Sequence, residues 1–169
     1  MVEVHDDCGP EVVVMSGLPG AGKDHWLRRH RPGLPIVSLD VLREELGVDP
    51  EDAQGPVVAA ARERARVHLR AGAPFAWNAT HLRAEVRGAV IRLLRDDRAR
   101  VHVVHCEAPA AEQAVRNRGR AAAVPAAALA RMLSRWTVPT PLEAHEVTYA
   151  VPRGAGAPWP PRTSRDEVV

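Results

Sequence analysis

A short apolar run, Glu11-Val12-Val13-Val14-Met15-Ser16, leads straight into Gly17-Leu18-Pro19-Gly20-Ala21-Gly22-Lys23. No other segment constrains the chain so tightly. An apolar, β-branched run of this length, closed by glycine, reads as a strand buried on both faces. Asp24 to His30 then reads as a helix. A strand, a glycine-rich turn and a helix in that order turn consecutive backbone N–H groups into one concavity at the positive end of the helix, where a phosphate group sits. Lys23 sharpens the reading. Of 23 Lys plus Arg, it is the one lysine. The arginine excess, with 15 Pro and abundant Ala, has the mark of GC-rich coding and is no signal for nucleic acid. A single retained lysine marks a place that needs a compact ammonium, here to bridge β- and γ-phosphates of a nucleotide. The spacing is that of a Walker A loop.

Further strands are expected at Ile36–Ser38, Phe75–Asn78, Val101–Cys106 and, at an edge, Val147–Tyr149. Between them lie helical segments: Asp40–Leu46 stopped by Gly47, Pro56–Arg70, Leu82–Asp97 with Val86, Val90, Leu93 and Leu94 on one face, Pro109–Arg118, and Pro125–Trp136. Strands alternating with helices predict an α/β fold, a parallel sheet covered on both faces. One domain, residues 1–151 and ordered from about residue 8, is expected to precede a Pro/Gly/Arg-rich tail, 152–169, read as disordered. No apolar stretch approaches the roughly 20 residues of a membrane span, and the acidic N-terminus lacks a signal peptide's apolar core. Two cysteines make no disulfide framework, so a cytoplasmic location is expected. A net charge of +2 demands no polyanionic partner.

Position 24, after the lysine, is where a Walker A loop carries Ser or Thr to bind Mg²⁺. Here it is Asp24. A carboxylate is a good hard ligand for Mg²⁺, so Asp24 is a candidate metal ligand; its other reading is an acid favouring the helix N-terminus. Asp40 follows the second strand, at the crevice where such sheets bind ligands. It suits a base for an acceptor hydroxyl, or a helix N-cap. Arg43, one turn on, is placed to hold an anionic part of the acceptor, or is a solvated residue. Asn78 and Thr80 end the third strand as candidates for metal waters or acceptor. His81 reads as an ordinary surface loop residue. Arg116 and Arg120, at i and i+4, are candidate lid arginines that would stabilise charge in phosphoryl transfer.

Assembled, these residues resemble the polynucleotide kinase family of P-loop 5′-end repair kinases, over about Val12 to Tyr149. Four ordered motifs carry the resemblance: Gly17–Lys23, Ser38–Arg43, Asn78-Ala79-Thr80-His81-Leu82, and Arg116–Arg120 followed by Ala123-Val124-Pro125 and Arg135-Trp136. The resemblance implies a P-loop NTPase/kinase fold with an arginine-bearing lid, with Gly17, Leu18, Pro19, Gly20, Ala21, Gly22, Lys23, Asp24, Arg116 and Arg120 on ATP. It implies Asp40 as general base for a 5′-hydroxyl and Arg43 on the neighbouring phosphate. The chain departs from the family's pattern at three places. Asp24 stands for Ser/Thr, Asn78 for a strand-end acid and His81 for Asn. The first two are expected to be linked: an acid moved from position 78 to 24 keeps one carboxylate near the metal.

Three functions follow. The first is a Mg²⁺-dependent kinase acting on 5′-hydroxyl ends of RNA or DNA with ATP (or GTP), pairing in function with a ligase or phosphatase. The second is a kinase of the same fold for a sugar, nucleoside or antibiotic hydroxyl. The third is a non-catalytic, nucleotide-gated interaction module.

Overall fold

The computed structural model describes residues 9–50, 52–120 and 123–151. Five strands, β1 (Glu11–Ser16), β2 (Ile36–Ser38), β3 (Phe75–Asn78), β4 (Arg100–Cys106) and β5 (Glu146–Ala150), alternate with helices. These are α1 (Lys23–His30), α2 (Leu39–Leu46), α3 (Gly55–Arg70), α4 (Ala84–Asp96), α5 (Ala110–Arg118) and α6 (Ala126–Leu133). The sheet order is β2-β3-β1-β4-β5, and every neighbouring pair is parallel. This is the expected α/β architecture, with the strand that leads into the glycine-rich loop at the centre.

The strand period places successive side chains on opposite faces. Val12, Val14, Trp77, Val101 and Val103 pack on one face with Val57, Ala61 and Ala65 of α3 and Ile91 and Leu94 of α4. Val13, Met15, Ala76 and Val104 pack on the other with Trp26 and Leu27 of α1. Both faces of β1 are therefore dry, which explains why its sequence is continuously rather than alternately apolar. Each such valine stabilises the fold by roughly 1.5–3 kcal/mol of transfer free energy.

Some details differ from expectation. The last helix stops at Leu133 rather than Trp136. α4 begins at Ala84, and its core face is rotated: Val86 is 44% exposed while Arg87 is fully buried. Arg87 takes the core position because it is met there. Its guanidinium pairs with Glu143 through Nε at 2.9 Å and Nη2 at 3.0 Å. It also donates to the carbonyls of His81, Leu82 and Thr137 at 2.8–3.1 Å. The expected edge strand is longer by one residue at each end. Cys106 is a buried free thiol; Cys8 and the 152–169 tail lie outside the described residues. Among the described residues no helix is long and apolar enough to cross a membrane.

Candidate active site

The loop between β1 and α1 is shaped by its glycines. Gly17, Gly20 and Gly22 have φ of 141°, 82° and 97°, a region L side chains rarely adopt. A Cβ on Gly17 would also strike the Cys106 carbonyl oxygen, and one on Gly20 would stand 2.8 Å from that of Gln113. The loop is pinned from both sides: Gly17 N–H donates to Thr80 O at 2.9 Å, and Gln113 Nε2 donates to Pro19 O at 2.8 Å. No side chain caps the N-terminus of α1, so its first N–H groups face the loop's concavity with the positive end of the helix behind them.

Lys23 folds back over this loop, donating to Gly17 O at 2.9 Å and Leu18 O at 3.0 Å. Burial pushes its pKa down to about 8; the nearby Asp24 and Asp40 carboxylates pull it up, and Arg120 pushes it further down. Lys23, Asp24, Asp40 and Arg120 thus belong to one electrostatic cluster. Beside it, Asn78 Nδ2 donates to Asp24 Oδ1 at 2.6 Å, so the two departing positions noted in the sequence touch. The contact fixes the amide's orientation, and Asn78 Oδ1 is left buried without a hydrogen-bond partner. A carboxylate and an unpaired amide oxygen, both hard donors, suit a Mg²⁺ ion that keeps waters and nucleotide phosphates as its other ligands.

Asp40 sits in the first turn of α2. The helix N-cap is Ser38, whose hydroxyl accepts from Val41 N–H at 3.4 Å, so Asp40 is not needed as a cap. Its two oxygens are taken by two arginines: Arg43 Nη1 reaches Oδ1 at 2.5 Å and Arg120 Nη2 reaches Oδ2 at 2.7 Å. Arg43 is itself oriented by Gln54 Oε1 at 2.6 Å from its Nε. Arg116 stands over the loop: a Cβ on Gly22 would lie 3.7 Å from its Nη1, and Glu112 holds its Nη2 at 2.6 Å. Arg116 and Arg120 do not share a helix face, because α5 ends at Arg118. One arginine therefore reaches the loop and the other reaches Asp40.

Thr80 contributes its carbonyl to Gly17, as above. His81 is no surface residue: it is 5% exposed, with φ of 42° and Nδ1 2.9 Å from Met15 O. Burial drives its pKa down to about 4, so it is neutral at physiological pH and donates through Nδ1–H. His is among the residues enriched at left-handed positions, which suits the backbone here. Ser16, with its hydroxyl 3.2 Å from His81 O and 3.1 Å from His105 Nδ1, braces the same loop. It is fully buried and offers no nucleophile.

The profile of the AAA domain family matches residues 12–139. The chain belongs to that family. The AAA domain match spans all the motifs just described up to the lid. Among solved structures the fold is similar to a sugar kinase from Janibacter sp. HTCC2649, at 22% identity and TM-score 0.60, covering 83% of this chain and 85% of that one. It is similar to a gluconokinase from Sinorhizobium meliloti 1021, at 17% identity and TM-score 0.56, covering 85% and 83%. It is also similar to a chain of the Pnkp1/Rnl/Hen1 RNA repair complex, at 14% identity and TM-score 0.68, covering 80% of this chain and 46% of that one. These likenesses establish the P-loop kinase fold. The sequence has no significant match among the curated proteins.

Proposed function

We propose that this AAA-domain chain is a polynucleotide 5′-hydroxyl kinase, transferring the γ-phosphate of ATP or GTP to 5′-OH ends of RNA or DNA. The observation that carries the reading is Asp40, a carboxylate held by Arg43 and Arg120 within the electrostatic cluster of Lys23. The loop amides and Lys23 hold the β- and γ-phosphates, and Arg116 covers them. Asp24, oriented by the Asn78 amide, and the unpaired Asn78 Oδ1 would hold Mg²⁺, which would supply positive charge against the phosphates. Asp40 takes the proton of the acceptor hydroxyl while that oxygen bonds to the γ-phosphorus; the bond from phosphorus to the β-γ bridging oxygen breaks, and the nucleoside diphosphate leaves with the electron pair. Arg43 holds the phosphate next to the reacting hydroxyl. Thr80, two residues past the end of β3, is assigned to acceptor binding in this reading. The product, a 5′-phosphate end, is what a ligase consumes, which fits the company kept by the RNA repair neighbour.

The test is transfer of label from γ-labelled ATP, with Mg²⁺, to a 5′-hydroxyl oligoribonucleotide and its DNA equivalent. Wild type is expected to label the end, and Asp40→Ala to lower kcat by roughly 10²–10⁴-fold. A second reading, a sugar kinase, is favoured by the fold's similarity to the sugar kinase and the gluconokinase. Transfer to gluconate or another sugar, with none to RNA or DNA, would replace the first reading by the second.

A further inference from the structure

Asn117 stands in sequence between the two lid arginines and is 5% exposed. Asparagine is a poor helix former whose amide competes with the backbone, and a buried amide must find partners. Its place in the last turn of α5 is explained by one residue further along the chain. Asn117 Nδ2 donates to Val124 O at 2.8 Å, and Val124 N–H donates to Asn117 Oδ1 at 3.1 Å. The side chain thus meets both backbone groups of Val124, as a neighbouring strand would. Its own backbone is engaged as well. The Arg120 N–H donates to Asn117 O at 3.2 Å, and a Cβ on Gly20 of the phosphate loop would stand 3.3 Å from Asn117 N. Beyond Val124, α6 buries none of its residues, so no core side chain of that helix anchors the lid.

We infer that Asn117 is a positioning residue: its amide latches the lid to Val124 and so holds Arg120 over the groups that react. The inference rests on the kinase reading for the work of Arg120 on the transferring phosphate, and not on which acceptor takes that phosphate. The Arg120 guanidinium reaches Asp40 Oδ2 at 2.7 Å and belongs to the electrostatic cluster of Lys23. A long side chain delivers charge accurately only when the backbone at its root is fixed. Helical hydrogen bonding does not fix it, because α5 ends at Arg118. The common glycine device is absent too: Gly119 has φ of −78°, not the left-handed conformation in which glycine often ends a helix. Asn117 takes over that work. Its carbonyl ties down the root of Arg120, its amide ties down the chain at Val124, and its own nitrogen lies against Gly20. One residue therefore sets where the guanidinium stands relative to the phosphate loop. The pairing needs a donor and an acceptor on one short side chain, which leaves out Asp, with no donor when ionised, and Ala, with neither.

Calorimetry with ATP and with ADP, both with Mg²⁺, tests the latch without any acceptor. Arg120→Ala is expected to weaken ATP binding about tenfold, the size of one charge-assisted hydrogen bond, and to leave ADP binding unchanged. Asn117→Ala should lose most of that factor for ATP and nothing for ADP. In the Arg120→Ala background the Asn117 change should have no further effect, because both remove the same contact. An asparagine that only supported the fold would loosen α5 on the phosphate loop, weaken ADP as much as ATP, and do so in either background. Asn117→Gln keeps the amide but sets it one methylene out of register. It carries the same cycle, with the same expected pattern, should thermal melts show Asn117→Ala unfolded. A loss for ADP, a loss that persists without Arg120, or wild-type ATP affinity in Asn117→Ala or Arg120→Ala overturns the latch. If no oligonucleotide is labelled but the binding cycle holds, the end-kinase reading falls and the latch stands. If oligonucleotides are labelled but the cycle is additive, the latch falls and the end-kinase reading stands.

Discussion

Asp24 and Asn78 are the residues at which this chain departs most from the pattern its loop otherwise follows, and they are in contact at 2.6 Å. The two residues, 54 positions apart in sequence, are neighbours in space. Single changes Asp24→Ser and Asn78→Asp are therefore each expected to lower Mg²⁺-dependent activity: the first removes the carboxylate, and the second sets two carboxylates against each other. The double change should recover most of it. If the double variant is no better than the worse single one, measured as kcat/KM against Mg²⁺ concentration, the two positions are not a unit. Lys23 makes a separate prediction about pH. Its pKa near 8, lowered chiefly by burial, sits below its unfolded value, so the free protein releases the proton as pH passes 8. Nucleotide phosphates need the charged form. Nucleotide affinity should thus fall as pH rises from 8 towards 10, by up to about tenfold per unit, and binding at pH 8 should take up protons. Calorimetry in buffers of different ionisation enthalpy measures that uptake. At this scale the sequence was partly readable. A lone lysine and a misplaced acid stand out in a string of letters. The burial of His81 does not, because a histidine after a strand end looks the same whether its ring finds Met15 O or water.

The loop from Gly17 to Lys23 was legible because three glycines answer three backbone demands that no other residue meets. Gly17→Ala should abolish nucleotide binding and lower the melting temperature, since it meets both a φ of 141° and the Cys106 carbonyl. Gly119→Ala, at φ −78° with no neighbour closer than 3.7 Å, should change neither; thermal melts with and without ATP compare the two. α4 was legible in its existence but not in its rotation. Periodicity ranks Val86 above Arg87 for the core, and only the three carbonyls and Glu143 waiting in the fold reverse that order. Burial alone would raise the Glu143 pKa; hydrogen bonds from Arg87 and the Thr140 N–H outweigh it and hold the carboxyl below its usual value. Arg87→Met strands all four partners and should cost about 3–5 kcal/mol in urea unfolding. Glu143→Gln, which leaves the carbonyl bonds in place, should cost less. The lid shows the same limit: a four-residue spacing suggests a shared helical face for Arg116 and Arg120, but the helix ends between them.

Parallel pairing throughout the sheet was readable from the alternation of strands and helices; the order β2-β3-β1-β4-β5 was not, because it depends on which crossovers place β1 between β3 and β4. That order sets the loop at the centre of the sheet's C-terminal edge, where flanking strand ends and the lid can reach it. It also buries histidines. His81, His102 and His105 all have pKa values lowered, burial being the first cause in each. For His81 the folded value near 4 lies below the unfolded 6.5. The unfolded chain then binds more protons between those values, so stability present above pH 6.5 should be lost as pH falls through this window. Melting temperature followed from pH 7 to 4 tests this, and His81→Asn, which keeps the left-handed backbone, should flatten the curve.

The bond between Arg120 and Asp40 joins residues 80 apart in the chain, and it occupies the oxygen that would receive a proton. The same guanidinium serves as counter-ion either to the base or to a nucleotide, not to both at full strength. An acceptor arriving first therefore meets a base already neutralised, whereas a nucleotide arriving first draws the arginine away and exposes the carboxylate. The geometry thus favours a compulsory order of addition, nucleotide before acceptor. Steady-state kinetics should show it: product diphosphate competing with the nucleotide alone, and an acceptor that forms no dead-end complex with the empty protein. Arg120→Ala should relax the order even as it slows the reaction.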